Sequence, residues 1–182
     1  SKDLLFRGEL LETIIRIFFE TSKYMDAIKT AEYLFKIEPF YSNNPVIHAK
    51  VVTAYERIAQ PDRAFVSRDG MTDAYVKDGP WYAYNHRNQK AIDQARGLMK
   101  DALLQTGLFY FEQATSLRDR SLQLEDVNDQ QALMNKAKYN YAKAAKSYNR
   151  YLDRYKYDKN TYELWYLYAE TLFYSENYKK SL

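Results

Sequence analysis

From Leu4 to Glu20 the apolar residues Leu4, Leu5, Leu11, Ile14, Ile15, Phe18 and Phe19 recur at steps of three and four. Arg7, Glu9, Glu12, Arg16 and Glu20 fill the other side, so the pattern predicts an amphipathic helix. Thr21-Ser22-Lys23 makes a short turn. A second helix then carries Ala27, Ile28, Ala31, Leu34, Phe35 and Ile37 until Pro39 ends it. So short a connection favours an antiparallel pair. Ser42-Asn43-Asn44-Pro45 is a helix-entry signal, a polar cap followed by proline in the first turn. The helix it opens carries Val46, Ile47, Val51, Val52, Tyr55 and Ile58, and Gln60-Pro61-Asp62 breaks it. A weaker helix is predicted from about Asp62 to Val76, with Ala64, Phe65, Met71 and Tyr75 around Gly70.

Lys77-Asp78-Gly79-Pro80-Trp81 is the strongest turn signal in the chain, and Tyr82-Ala83-Tyr84-Asn85 leads on from it. From about Asn88 to Leu124, Ile92, Ala95, Leu98, Met99, Ala102, Leu103, Phe109, Ala114 and Leu117 keep helical spacing, interrupted only by Gly97 and Gly107. Such a helix would reach roughly 55 Å. The polar stretch Glu125 to Asp129 closes it. A return helix is predicted from about Gln130 to Tyr155, with Leu133, Ala137, Tyr141, Ala144, Ala145, Tyr148 and Leu152, giving one enlarged hairpin. A last helix, about Thr161 to Ser175, carries Leu164, Trp165, Tyr168, Ala169 and Leu172, and Asn177-Tyr178 opens another.

The pattern repeats. Tyr24-Met25-Asp26-Ala27 near one end, Tyr141-Ala142-Lys143-Ala144 in the middle and Tyr178-Lys179-Lys180-Ser181 near the other each follow or continue an apolar helical stripe. Ala64 lies 37 residues after Ala27. Self-similar helical hairpins at such a period predict stacked units rather than a compact enzyme core.

These residues resemble the tetratricopeptide repeat family, whose unit follows Trp-x2-Leu-Gly-x2-Tyr and then Ala, Phe, Ala and Pro at fixed offsets. The match runs through Trp165, Tyr168, Ala169 and Leu172, then Tyr178 and Ser181. In the first hairpin Leu11, Ile14, Ile15 and Phe18 take the first-helix places, followed by Ala27, Ala31, Leu34 and Pro39. Ile15 departs from the small residue that the motif asks for, which should hold that helix pair slightly apart. In the second hairpin Tyr55 and Ala64 are kept, while His48 and Val52 replace the aromatic and the small residue. The close matches cover roughly half of the chain. The resemblance implies an all-α, tetratricopeptide-like α-solenoid of antiparallel helical hairpins with right-handed superhelical stacking. On that reading residues 1–182 form one repeat domain of hairpins at about 3–39, 44–77, 88–156 and 161–182, the last one truncated and the whole part of a longer protein. The chain is also similar in outline to repeat scaffolds of bacterial envelope and motility assemblies, which favours the periplasm or cell envelope over the cytoplasm.

Composition changes this picture little. Five Gly and four Pro suit long helices with short connections, and the absence of Cys excludes disulfides and thiolate metal sites. No run of apolar residues is long enough to span a membrane. The 19 Tyr stand out against nine Phe and two Trp. Their apolar faces and polar tips suit half-buried positions between helices, or a peptide groove. Net charge is only +3, but Lys136, Lys138, Lys143, Lys146, Arg150, Arg154, Lys156 and Lys159 stand against Asp153 and Asp158 alone. That basic stretch reads as a solvated face, or as a surface for an acidic partner or nucleic acid.

Catalytic signals are thin. His48 falls on a predicted helix, and His86 in the polar loop after Trp81, where a helix-start cap and a binding feature are both open. No phosphate loop, nucleophile elbow or metal spacing occurs, so no catalytic residue, cofactor or metal site is assigned. Tyr148, Tyr151 and Tyr155 lie along one helix face, which suits core packing. The resemblance implies a concave working surface lined by the first helix of each hairpin. Its candidate partner-binding residues are Glu9, Glu12, Arg16 and Glu20, then Thr53, Glu56 and Arg57, then Glu163, Tyr166, Glu170 and Phe173. This mix suits a protein or peptide with basic and apolar anchors, or a second copy of the chain. The function implied is a non-enzymatic scaffold or adaptor. The alternatives are a helical accessory domain of a cell-envelope enzyme, or binding of nucleic acid or an acidic partner through residues 136–159.

Overall fold

A computed structural model of the chain describes residues 2–176, with side chains from residue 6 onward. Among the described residues there are eight α-helices and no strand. They are α1 (Lys2–Glu20), α2 (Tyr24–Ile37), α3 (Asn44–Arg57), α4 (Pro61–Ala74), α5 (Pro80–Asn85), α6 (Gln89–Ser121), α7 (Val127–Arg154) and α8 (Thr161–Tyr174). The all-α expectation is therefore met. None of the described helices is long and apolar enough to cross a membrane. The chain divides into two compact units at Ala102 and Leu103, so α6 contributes its first part to one and its remainder to the other.

In the first unit α1 packs on α2, α2 on α3 and α3 on α4. The shared core holds Ile15 from α1, Ala27, Ile28, Ala31 and Leu34 from α2, Ile47, Val51, Val52 and Tyr55 from α3, and Ala64 from α4. Ile15 and Val52, which stand where the tetratricopeptide motif asks for a small residue, are both buried. They share the core with small side chains of the neighbouring helices, Ala27 and Ala31 on α2 and Ala64 on α4.

Two turns of this unit, the one after α1 and the one after α3, are built alike. Ser22 and Ala59, 37 residues apart, both take the left-handed conformation, with φ of 59° and 56°. At each, one amide reaches back across the last helical turn. Lys23 N–H donates to Phe18 O at 2.8 Å, and Gln60 N–H donates to Tyr55 O at 2.9 Å. The preceding amides of Ser22 and Ala59 donate to Phe19 O and Glu56 O, both at 3.1 Å. This is the Schellman arrangement, which caps the last carbonyls of a helix as the chain reverses. The backbone thus repeats at the period that Ala27 and Ala64 gave in the sequence.

Tyr82 to Asn85, expected as a lead-in to the long helix, instead belongs to the short helix α5. Pro80 starts it, and Trp81 and Asn85 are buried one turn apart. Trp81 Nε1 donates to Tyr41 O at 2.9 Å, and Asn85 Nδ2 donates to Phe40 O at 3.0 Å. From the other side Asn44 Nδ2 donates to Glu38 O at 2.9 Å. Three buried polar side chains thus pin the connection between α2 and α3. Around Trp81 a second core gathers Met71, Tyr75, Ala91, Ile92, Ala95 and Met99.

The second unit consists of residues 103–121 of α6 together with α7 and α8. α7 begins at Val127, earlier than the pattern predicted, because Asp126 caps it by accepting from the amides of Asn128 and Asp129 at 2.8 and 3.0 Å. Tyr141, Tyr148 and Tyr151 of α7 are fully buried, with Leu103 and Ala114 of α6 and Leu164 and Leu172 of α8. Ser147 Oγ donates to Leu103 O at 2.8 Å, and the Tyr141 and Thr115 hydroxyls lie 3.1 Å apart.

Candidate protein interface

α8 is amphipathic, but its outer side is aromatic rather than polar. Leu164, Tyr168, Thr171 and Leu172 turn inward. On the opposite side Tyr162, Tyr166 and Phe173, at steps of four and seven, form one row. Tyr162 is 75% exposed and Tyr166 70%, with ring centroids 5.9 Å apart. Ala169 continues the row as an exposed small residue, and the exposed Trp165 flanks it. Glu163 and Glu170, seven residues apart and both exposed, line the other edge. Four of the expected partner-binding residues, Glu163, Tyr166, Glu170 and Phe173, thus share one face of one helix. Trp165 and Tyr162 join them and were not among the residues singled out for binding. Trp165 belongs to the set of residues through which the tetratricopeptide resemblance runs. The helix expected from Asn177, with Tyr178 and Ser181, lies outside the described residues.

The candidates in the first unit are placed differently. Glu9, Arg16 and Glu20 are exposed on α1. Glu12 is half-buried, and its carboxylate is used within the fold: it accepts from the Tyr41 hydroxyl at 2.6 Å and from the Asn43 amide. That negative charge and burial together push the Tyr41 phenol well above its ordinary range, burial being the larger cause. On α3, Thr53 is half-buried and donates back to Ala49 O at 3.3 Å, while Glu56 is ion-paired with Arg68 of α4. Arg57 is exposed.

Neither histidine stands in a chemical constellation. The ring of His48 lies 5.2 Å from Phe35 and 5.8 Å from Tyr75, and its Nδ1 is 3.3 Å from the Tyr75 hydroxyl. Burial depresses its pKa to about 4, so it is neutral near pH 7 and serves as a packed aromatic. His86 is exposed at the end of α5, its Nδ1 2.7 Å from Ala83 O. No group of three or more acidic or histidine side chains that could hold a metal occurs among the described residues.

The basic stretch from Lys136 to Lys159, most of it on α7, is partly engaged. Lys138 pairs with Glu176 at 2.6 Å. Lys143 lies over the rings of Tyr110 and Tyr139, 4.8 and 4.5 Å from their centroids. Lys136, Lys146, Lys156 and Lys159 are exposed. Tyr148 and Tyr151 are buried and pack the core, and Tyr155 is half-buried beside Tyr151 at 5.1 Å. Tyr148 and Tyr151 therefore face inward, and the exposed rings along this stretch are Tyr139 and Tyr157.

Comparisons of the chain with protein families, with characterised proteins and with solved structures find no match.

Proposed function

We propose that this chain is a tetratricopeptide-type repeat scaffold, stacking its hairpins with a right-handed superhelical sense, that binds a protein or peptide and performs no chemistry of its own. The duplicated Schellman turns at Ser22 and Ala59 support the repeat reading. The binding reading rests on one observation, the exposed aromatic row of α8. Aromatic side chains present about 150–250 Å² each, and about two-thirds of the surface of Tyr162, Trp165, Tyr166 and Phe173 is exposed, so together they offer about 500 Å² to a partner. That is more than half of the roughly 800 Å² that one side contributes to a standard protein interface. Aromatic residues clustered on one face are also the side chains that most often dominate binding energy.

The edge chemistry favours one kind of partner. Glu163 and Glu170 set two carboxylates along one side of the row. An amphipathic helix with apolar anchors and Lys or Arg beside them would meet both features. The test is calorimetric titration with designed basic amphipathic peptides. The native protein should bind, and a Tyr166→Ala, Phe173→Ala double variant should bind at least about tenfold more weakly with unchanged helix content. Glu163→Lys together with Glu170→Lys should weaken basic peptides and spare neutral ones. Equal binding by the folded aromatic double variant overturns the reading.

A further inference from the structure

α1 carries an apolar seam on the side turned away from its own unit. Gly8 and Ile15 are buried, Gly8 against the Tyr41 ring, and Ile15 in the core. On the opposite side Phe6, Leu10, Thr13 and Ile17 recur at steps of four, three and four, all of them exposed, Phe6 to 68%. This is the heptad spacing of a helix that pairs with another helix. Thr13 keeps the middle of the seam low, and its hydroxyl is turned back onto Glu9 O at 2.9 Å.

We propose that this seam docks a second copy of the chain, α1 against α1 in antiparallel orientation. In that register Phe6 lies opposite Ile17 of the second copy and Leu10 opposite Thr13, and two-fold symmetry repeats both layers. The charges select this occupant and this orientation. Glu9 and Arg16 sit seven residues apart on one flank of the seam, both exposed. Neither side chain has an ion-pair or hydrogen-bond partner among the described residues. Antiparallel pairing brings each Glu9 beside Arg16 of the other copy, so one surface satisfies itself twice. Parallel pairing would set Glu9 against Ile14 and leave both charges unused. On the other flank Arg7 is already engaged with Glu38 of its own chain, at 2.6 and 2.9 Å, and brings no unpaired charge to the contact.

The contact is small. Four side chains per copy cover about half of the roughly 800 Å² per partner typical of stable complexes, which places the dimer at the weak end. It gives the scaffold reading one named partner but does not depend on α8. Substitutions on α8 leave it intact, and loss of self-pairing leaves peptide binding by α8 intact.

The experiment is sedimentation equilibrium of the intact chain at concentrations up to about 0.5 mM, where weak pairs become populated. The native protein is expected to dimerise. Glu9→Arg and Arg16→Glu each turn both symmetric pairs repulsive and should weaken the dimer about tenfold or more. Mixing the two single variants should restore a heterodimer, because every flanking pair is then opposite in sign. The double variant carrying both reversals should restore the homodimer. Far-UV circular dichroism and the emission of buried Trp81 check that the variants are folded. A native chain that stays monomeric, a dimer indifferent to the single reversals, or a loss that neither mixing nor the double reversal repairs overturns the proposal.

Discussion

A β-carbon placed on Gly107 of α6 would stand 2.5 Å from Cδ1 and 2.9 Å from Cζ of Tyr148 on α7. The phenol ring lies flush against a bare stretch of helix backbone. Gly107→Ala must push a fully buried ring out of its place. Overpacking of this kind costs roughly 1–3 kcal/mol, against the gain of up to about 1 kcal/mol that alanine usually brings to a helix. Gly97, on the same helix, has nothing within 4 Å of the corresponding position. Gly97→Ala should therefore stabilise by about 0.5–1 kcal/mol. Urea unfolding of the two variants should shift the midpoint in opposite directions.

The hydroxyl of Tyr148 sits in the same packing without a hydrogen-bond partner among the described residues, whereas the Tyr151 hydroxyl donates to Asp158 Oδ1 at 2.7 Å. Burial raises both phenols above their ordinary range, and for Tyr151 the bond to the Asp158 carboxylate raises it further. Tyr148→Phe removes an uncompensated polar group, and should leave stability unchanged or raise it by up to about 1 kcal/mol. Tyr151→Phe gives up a bond to a charged acceptor, and should cost about 1–2 kcal/mol. Thermal unfolding should rank Tyr148→Phe above the native chain, or level with it, and Tyr151→Phe below it.

Glu12 is the expected binding residue whose surroundings argue for a different experiment. Its carboxylate holds Tyr41 and Asn43, the residues leading into α3. Glu12→Ala should destabilise the first unit by about 1–2 kcal/mol, since it strands two partly buried donors. Tyr41→Phe, which removes one donor and leaves the Asn43 bond, should cost less. Chemical denaturation followed through Trp81, which donates to Tyr41 O, reports on this unit directly once Trp165 of the second unit is replaced by Phe in every variant.

These three cases rest on contacts that the sequence pattern does not announce. Residues that repeat, such as Ala27 and Ala64, could be paired by spacing alone, because a helix hairpin that recurs must bury the same positions. The bounds of α1 to α4 were legible for the same reason. Contacts between residues far apart in the chain left no such trace. Gly107 read as an interruption because nothing in its neighbours announces a ring from α7. Glu12 read as a surface residue because its acceptors' partners lie about thirty positions away. Phe6, Leu10 and Ile17 were passed over because α1 already had an apolar side, and periodicity reports one face most strongly. On α8 the resemblance runs through Trp165 and Ala169, yet both are exposed among the described residues. The exposed row of aromatics beside them follows from which side α7 covers.

Acid should loosen the first unit through His48. Burial holds its imidazole neutral down to about pH 4, an effect only partly opposed by a backbone hydrogen bond near Ser67. In the unfolded chain a histidine protonates near pH 6.5. Between these values the unfolded chain binds more protons than the folded one, so stability is full above about pH 6.5 and falls with pH. The loss should reach about 2 kcal/mol at pH 5 and level off near 3 kcal/mol below pH 4. Carboxylates titrate over the lower part of this range, so the informative quantity is the difference from His48→Gln, whose side chain takes no proton. Denaturation at pH 7.5, 6 and 5 should show the native first unit losing stability relative to the variant across that interval. Parallel curves for the two proteins would mean that His48 is open to water and does not pack between Phe35 and Tyr75.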